Sequence, residues 1–431
     1  MIIFKGQLYD SKEQDGLLLK LESEINRTRM TRELSVNKVI DAIDRLGKAV
    51  AEGAFSQDIE QLNIDGIERY VDTLLLSLRR ENIEYKVRTE LGEDFFEPRK
   101  TDPPFGQKQI TVRPMPLGTL LHIAAGNVDG LPAFSVAEGL LTGNVNILKL
   151  PQADNGLSIK IIMKLIEIEP EVSEFIYVFD TPSSDVLSIK KMADISDGIV
   201  VWGGDVAVAA VRQFAPAGCR IIEWGHKLGF AYISGYEDKA AELEALAEHI
   251  ITTKQLLCSS CQTIFIDTER LEEVRSFCSE FLPILETAAL KYPFMTIDAV
   301  AERTLRRYNQ KLEDILAGET AQEKTVYQGE HSSLTVCADH TLELSEMFGN
   351  CLVKRLPEKD IFSVLRETKG YLQTAGLICA PDQRSRLTDL LLRSGVVRVM
   401  RAGDMSSVFS GEAHDGEYPL RRYTRMVNIG E

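Results

Sequence analysis

Residues 120–150 read LLHIAAGNVDGLPAFSVAEGLLTGNVNILKL, and this stretch decides the fold. Residues 120–124 form an apolar run of strand length. Residues 131–141 carry a helical pattern, and 145–150 (VNILKL) return to a strand. Working outward, 158–168 reads as a helix, 175–179 (FIYVF) as a strand and 185–191 as a helix. Residues 199–202 (IVVW) are a strand, 206–214 a helix, and 220–223 closes the series. Strands that alternate with helices at this spacing imply βαβ units and a parallel, doubly wound sheet. Such sheets bind ligands outside the carboxyl ends of their strands.

On either side the pattern changes. Residues 1–95 read as a helical N-terminal region, with apolar residues at three- and four-residue spacing over 22–53 and 59–82. The stretch 95–106, FFEPRKTDPPFG, is rich in proline and charge and reads as a linker. Beyond Phe230, residues 240–253 form a helix, 263–267 a strand and 269–292 a helix, and a second β–α alternation continues toward residue 400. The expectation is an α/β chain: a helical region (1–95), a Rossmann-like doubly wound domain (107–228), a second α/β domain (229–400) and a C-terminal segment (401–431).

The chain has 431 residues, 44% of them hydrophobic and 26% charged, with a net charge of −16. That balance and the lack of a dense basic cluster speak against nucleic acid as a partner. No apolar run approaches the roughly 20 residues that a membrane span needs. The N-terminus lacks the pattern of a secretion signal, so the expected compartment is the cytoplasm. Seven cysteines, an odd number in a long chain, make a disulfide framework improbable.

Several motifs carry possible chemistry. In QLLCSSCQTIFID (255–267) a helix runs into Cys258 and then a strand, a junction that can hold a thiolate at the edge of a cleft. Two buried structural thiols, or a metal or redox pair of Cys258 and Cys261, are competing readings. A structural zinc normally needs a second pair, and there is no second CxxC. In IIEWGHKLGF (221–230), Glu223 ends an apolar strand, a position suited to a general base or to a solvated ion pair. In IVVWGGDVAVAAVRQF (199–214), Gly203 and Gly204 precede a helix whose N-terminus can meet a phosphate, or simply make a tight turn. Asn127 lies in a Gly-rich loop, where its amide is an oxyanion donor or a turn former. Lys149 stands near the end of a strand, where a cofactor ribose or phosphate would lie.

Together and in this order, from about residue 109 to the C-terminus, these segments resemble the aldehyde-dehydrogenase superfamily, and within it the LuxC-type fatty acyl-CoA reductases. PMPLGTLLHIAAGNVDGLP resembles the oxyanion segment and matches Asn127. TGNVNILKLPQ resembles the ribose-contacting segment and matches Lys149, while VVWGGDVAVAA resembles the pyrophosphate segment. EWGHK resembles the glutamate element and matches Glu223. QLLCSSCQTIFI resembles the nucleophile segment and matches Cys258, not Cys261. EMFGN resembles the Glu–x–Phe–Gly segment, so the resemblance places Glu346 at the nicotinamide ribose. The glutamine before LLCSS, WGGD and the ending HDGEYPLRRYTRMV point to the LuxC branch, although His226 stands where a glycine is usual.

The resemblance implies an aldehyde-dehydrogenase-like fold in which 107–228 is the NADP-binding domain, 229–400 the catalytic domain with the nucleophilic cysteine, and 401–431 a segment returning to the cofactor domain or to an oligomer interface, with the nicotinamide and Cys258 meeting at an interdomain cleft. It implies NADPH-dependent reduction of a long-chain fatty acyl-CoA to the aldehyde through an acyl-enzyme on Cys258. Gln152, neutral where NAD-preferring relatives often carry an acid, permits NADPH. It further implies a homo-oligomer and an acyl-transferase or acyl-protein synthetase partner; no metal is expected, since no second metal-ligand pair stands in the sequence. Two rivals stay open: an oxidative aldehyde dehydrogenase that uses Glu223 for hydrolysis, and a non-catalytic scaffold or partner subunit.

Overall fold

A computed structural model describes residues 1–62, 67–95, 99–101, 104–106, 108–124, 130–152, 154–293, 296–317 and 324–430. It contains two compact units. One holds residues 1–62, 67–225 and 409–430, and the other holds residues 226–408.

In the first unit, seven described strands form one sheet. Their order is Gln7–Tyr9, Ile2–Phe4, Ile176–Phe179, Val145–Lys149, Thr119–Ile123, Gly198–Trp202, Arg220–Trp224. The last five run parallel. Helices Leu131–Leu141, Leu157–Ile168, Val186–Asp194 and Asp205–Phe214 connect them in sequence. The expected alternation is therefore present. The strand order steps one way from Thr119–Ile123 and then resumes on its other side at Gly198–Trp202, which is a topological switch point. The central strands are buried on both faces, as a helix-covered parallel sheet requires.

Two features were not expected. Residues 1–95 are not purely helical, since Ile2–Phe4 pairs antiparallel with the strand Ile176–Phe179. The helices that follow, Gln14–Thr31, Val36–Ala51 and Arg80–Leu91, bury Leu21, Ile25, Val39 and Val87 in the same core as Leu120 and Ile147. The stretch 95–106, read as a linker, contains the strand Arg99–Lys100. This pairs with Ile110–Pro116, which pairs in turn with Thr424–Gly430. Proline and charge misled that reading, because an edge strand tolerates both.

The second unit holds another sheet of seven described strands. Their order is Lys324–Gln328, Ser333–Cys337, Asn350–Arg355, Cys261–Ile266, Leu228–Ile233, Leu372–Ile378, Arg398–Met400. All neighbours are parallel except the first pair. Helices Lys239–Thr253 and Leu271–Lys291 pack on it through Leu246, Ile250, Phe277 and Phe281.

Candidate active site

The local chemistry around Cys258 begins with the end of a helix. Asp238 caps Lys239–Thr253 by accepting from Ala241 N–H (3.2 Å). At the other end Lys254 (φ 50°) and Gln255 (φ 60°) both take left-handed backbone. Such strain costs about 1–3 kcal/mol per residue and persists only where the surroundings over-determine it. Here they do. Gln255 is fully buried. Its Nε2 donates to Cys261 O (2.9 Å), Ser345 Oγ (3.0 Å) and Asn350 O (3.3 Å), and its Oε1 accepts from Gly349 N–H (3.1 Å). The sharp exit leads into a turn closed by Ser260 N–H donating to Leu257 O (2.9 Å), with Cys258 and Ser259 at its apex.

All seven cysteines lie among the described residues, and Cys258 alone is exposed. Cys261, three residues on, is fully buried at the start of a strand, and burial pushes its thiol up to about 12. A buried thiol of that kind is a poor nucleophile, so the environment separates the two cysteines that spacing alone could not. Gln373 Nε2 donates to Cys258 Sγ at 3.1 Å. Gln373 is itself buried at the start of Leu372–Ile378. Ser259 and Ser406 share a hydroxyl–hydroxyl bond of 2.8 Å.

Glu346 is half-buried in the loop just before the strand Asn350–Arg355. Met347 (φ 58°), Phe348 (φ 50°) and Gly349 (φ 84°) follow in left-handed backbone. Gln255 and Gln262 tie this loop to the Cys258 turn. Gln262 Oε1 accepts from Ser345 Oγ (2.9 Å), and its Nε2 donates to Gln255 O (2.7 Å). His226 stands just before Leu228–Ile233, its ring 6.2 Å from that of Tyr371. Cys258, Glu346, Gln373 and His226 therefore all sit at the amino-terminal edge of the second sheet, in keeping with the helix-to-strand junction read for Cys258.

In the first unit, Lys149 is buried at the carboxyl end of its strand, and its Nζ donates to Ser183 Oγ (2.8 Å). Burial lowers the pKa of that ammonium. Beyond it lies a pocket of about 440 Å³ lined by Leu150, Gln152 and Asp180. The helix Asp205–Phe214 begins at Gly204 without a side-chain cap, and a Cβ built on Gly204 would meet nothing within 4 Å. A buried ammonium, an open pocket and an uncapped helix N-terminus suit an anionic dinucleotide. Glu223 is bound by Arg212 in a two-pronged ion pair, Nε to Oε1 at 2.5 Å and Nη2 to Oε2 at 2.7 Å. Both its oxygens are thus engaged by one guanidinium. Asn127 lies outside the described residues.

Sequence reasoning missed Arg212, Gln373 and the Gln255–Gln262–Ser345 network. The available signal was faint: Gln373 is a polar residue inside the apolar run LQTAGLI. Among the described residues, Cys337, Asp339 and Glu343 lie close enough to hold a metal ion. Lys354 Nζ already bridges Asp339 (2.9 Å) and Glu343, however, and pairs with both. No described helix is long and apolar enough to cross a membrane.

The fold is shared with solved aldehyde dehydrogenases. The NADP-dependent glyceraldehyde-3-phosphate dehydrogenase of Bacillus halodurans, complexed with NADP, superposes with a TM-score of 0.69 at 14% identity, covering 100% of this chain and 98% of that one. A betaine aldehyde dehydrogenase variant of Staphylococcus aureus, in complex with NAD+, gives 0.71 at 13%, covering 97% and 88%. Among curated relatives, the long-chain acyl-protein thioester reductase of Vibrio harveyi is 24% identical over 348 residues, 79% of this chain and 69% of that one. The long-chain acyl-protein thioester reductase 2 of Photobacterium leiognathi is 25% identical over 336 residues, 75% and 66%. The chain thus spans about two thirds of the length of these relatives. The model of the family described as acyl-CoA reductase (LuxC) matches residues 31–426. The chain belongs to the acyl-CoA reductase (LuxC) family.

Proposed function

We propose that this protein reduces a long-chain fatty acyl-CoA to the fatty aldehyde through a thioester on Cys258, with NADPH as the reductant. The observation that carries the reading is the Cys258 thiol, exposed at the tip of an over-determined turn while its neighbour Cys261 is sealed in the core. In the proposed first step the Cys258 sulfur attacks the thioester carbonyl carbon. The carbon–sulfur bond to CoA breaks, and CoA leaves with the electron pair. When bound, NADPH would supply the hydride that takes the enzyme-bound acyl carbon to the aldehyde level, and the carbon–sulfur bond to Cys258 would break with its electron pair returning to the sulfur. Asn127 and the Cys258 N–H are the proposed oxyanion donors, each worth about 3–4 kcal/mol in the transition state.

Lys149, the Gly203–Gly204 turn and Glu346 are the proposed cofactor contacts. Asp180 lines the same pocket as Gln152 and is paired there with the N-terminal ammonium; NADH is the competing outcome, and the ratio of kcat/KM for the two nucleotides decides between them. Glu223, which pairs with Arg212, is assigned proton handling. The proposal is completed by a cytoplasmic homo-oligomer that receives its acyl groups from an acyl-transferase or acyl-protein synthetase partner.

The test is to incubate the protein with radiolabelled tetradecanoyl-CoA in the absence of NADPH. Label is expected on the wild-type chain and on Cys261→Ala, and not on Cys258→Ala. Label that persists on Cys258→Ala overturns the assignment.

A further inference from the structure

We propose that Gln373 is a catalytic residue, whose side-chain amide holds the sulfur of Cys258 as a thiolate before acyl transfer and again when the aldehyde leaves. The proposal rests on the role given to Cys258 above. Its basis is geometric. Gln373 Nε2 donates to Cys258 Sγ at 3.1 Å across 115 residues of sequence. On the side away from the sulfur, Thr374 Oγ1 donates to Gln373 Oε1 at 3.3 Å. Thr374 is fully buried, and Val397 N–H bonds the Gln373 carbonyl, so the strand that carries the amide is fixed.

A hydrogen bond to the charged form of a group favours that form. In acylation the thiolate adds its electron pair to the thioester carbonyl carbon and the thiolate of CoA departs. In reduction the carbon–sulfur bond to Cys258 breaks, and the sulfur takes back that pair. Gln373 thus has a negative sulfur to stabilise at the beginning and at the end of the cycle. The same bond weakens the nucleophile, because reactivity falls as a thiolate becomes more stable, with a Brønsted slope of about 0.4–0.5. Loss of the bond is expected to raise the half-reaction pH of Cys258 by about one unit. Below that pH the population of thiolate decides, and the wild type reacts about threefold faster. Well above it the intrinsic reactivity decides, and the variant reacts about threefold faster.

The experiment measures the rate of Cys258 with dithiodipyridine, an aromatic disulfide, from about pH 6 to about pH 10, with Cys258→Ala as the blank. Gln373→Leu is expected to move the half-reaction pH upward and to cross the wild-type curve. Gln373→Asn, whose amide is one methylene too short to reach the sulfur, does the same if Gln373→Leu fails to fold. Curves that share one midpoint, or a rate ratio that is constant with pH, overturn the proposal, since a change of packing or access alters rate without moving the midpoint. The assay needs neither acyl substrate nor cofactor. A shifted midpoint without an acyl-enzyme sinks only the function proposed above, and an acyl-enzyme without a shifted midpoint sinks only the role of Gln373.

Discussion

Gly229, the second residue of the strand Leu228–Ile233, offers the sharpest test of how the fold holds the nucleophile. A Cβ added there would lie 2.5 Å from Ser260 O, 2.8 Å from Ser259 C and 2.8 Å from Ser259 O, where ordinary contact begins at 3.4 Å. The clash is with backbone, so no rotamer relieves it. The Cys258–Ser260 turn must retreat by about 0.6–0.9 Å, the difference between those distances. The backbone of Gly229 does not have a positive φ, so alanine is sterically wrong there without being conformationally wrong. A displacement near 1 Å at a reacting group costs about 100-fold in rate, and overpacking costs about 1–3 kcal/mol in stability. We therefore expect Gly229→Ala to fold, to unfold at somewhat lower denaturant, and to form the acyl-enzyme on Cys258 about 100-fold more slowly. Single-turnover labelling with radiolabelled tetradecanoyl-CoA measures that rate directly. Acylation within threefold of wild type in a folded variant refutes the reasoning.

Three further outcomes follow from the same geometry. Gln255→Leu leaves the buried Gly349 N–H and Cys261 O without their partner. Urea unfolding is expected to show a loss of about 2–5 kcal/mol, and a loss below about 1 kcal/mol contradicts the network. Burial holds His122 and His249 at about 4, against an ordinary 6.5. The unfolded chain therefore binds protons that the folded chain refuses between those values. Stability is full above pH 6.5 and declines as pH falls toward 4, by about 1.4 kcal/mol per pH unit for each histidine. His249→Gln, compared by urea midpoints at neutral and mildly acidic pH, should have the shallower decline, and an unchanged slope speaks against a neutral buried His249. Lys149→Met removes the buried ammonium from the carboxyl end of its strand and is expected to weaken NADPH about tenfold. Fluorescence titration that returns a wild-type Kd rejects Lys149 as a contact.

Much of the fold was legible because it is written locally. From Thr119 to Trp224 each strand but the last is followed by a helix, and the apolar period changes from one element to the next within a dozen residues. Contiguous motifs were equally legible. Cys258 in LLCSSC and the glycines in WGGD declare themselves by composition, and their turn positions follow from the flanking helix and strand. The strands Ile2–Phe4 and Arg99–Lys100 were not legible. A strand of two or three residues has no period to read, and its identity comes from the partner it finds far along the chain.

The sequence by itself determined the alternating α/β class, the order of the elements between residues 119 and 224, and the short list of side chains with useful chemistry. Only the tertiary structure decided which of the two cysteines in CSSC meets solvent, that Glu223 is tied up by Arg212, and that Gln373 reaches the sulfur of Cys258. The physical reason is one of range. Propensity and periodicity act over a few residues, whereas desolvation, ion pairing and hydrogen bonding depend on which distant segments the sheets bring side by side.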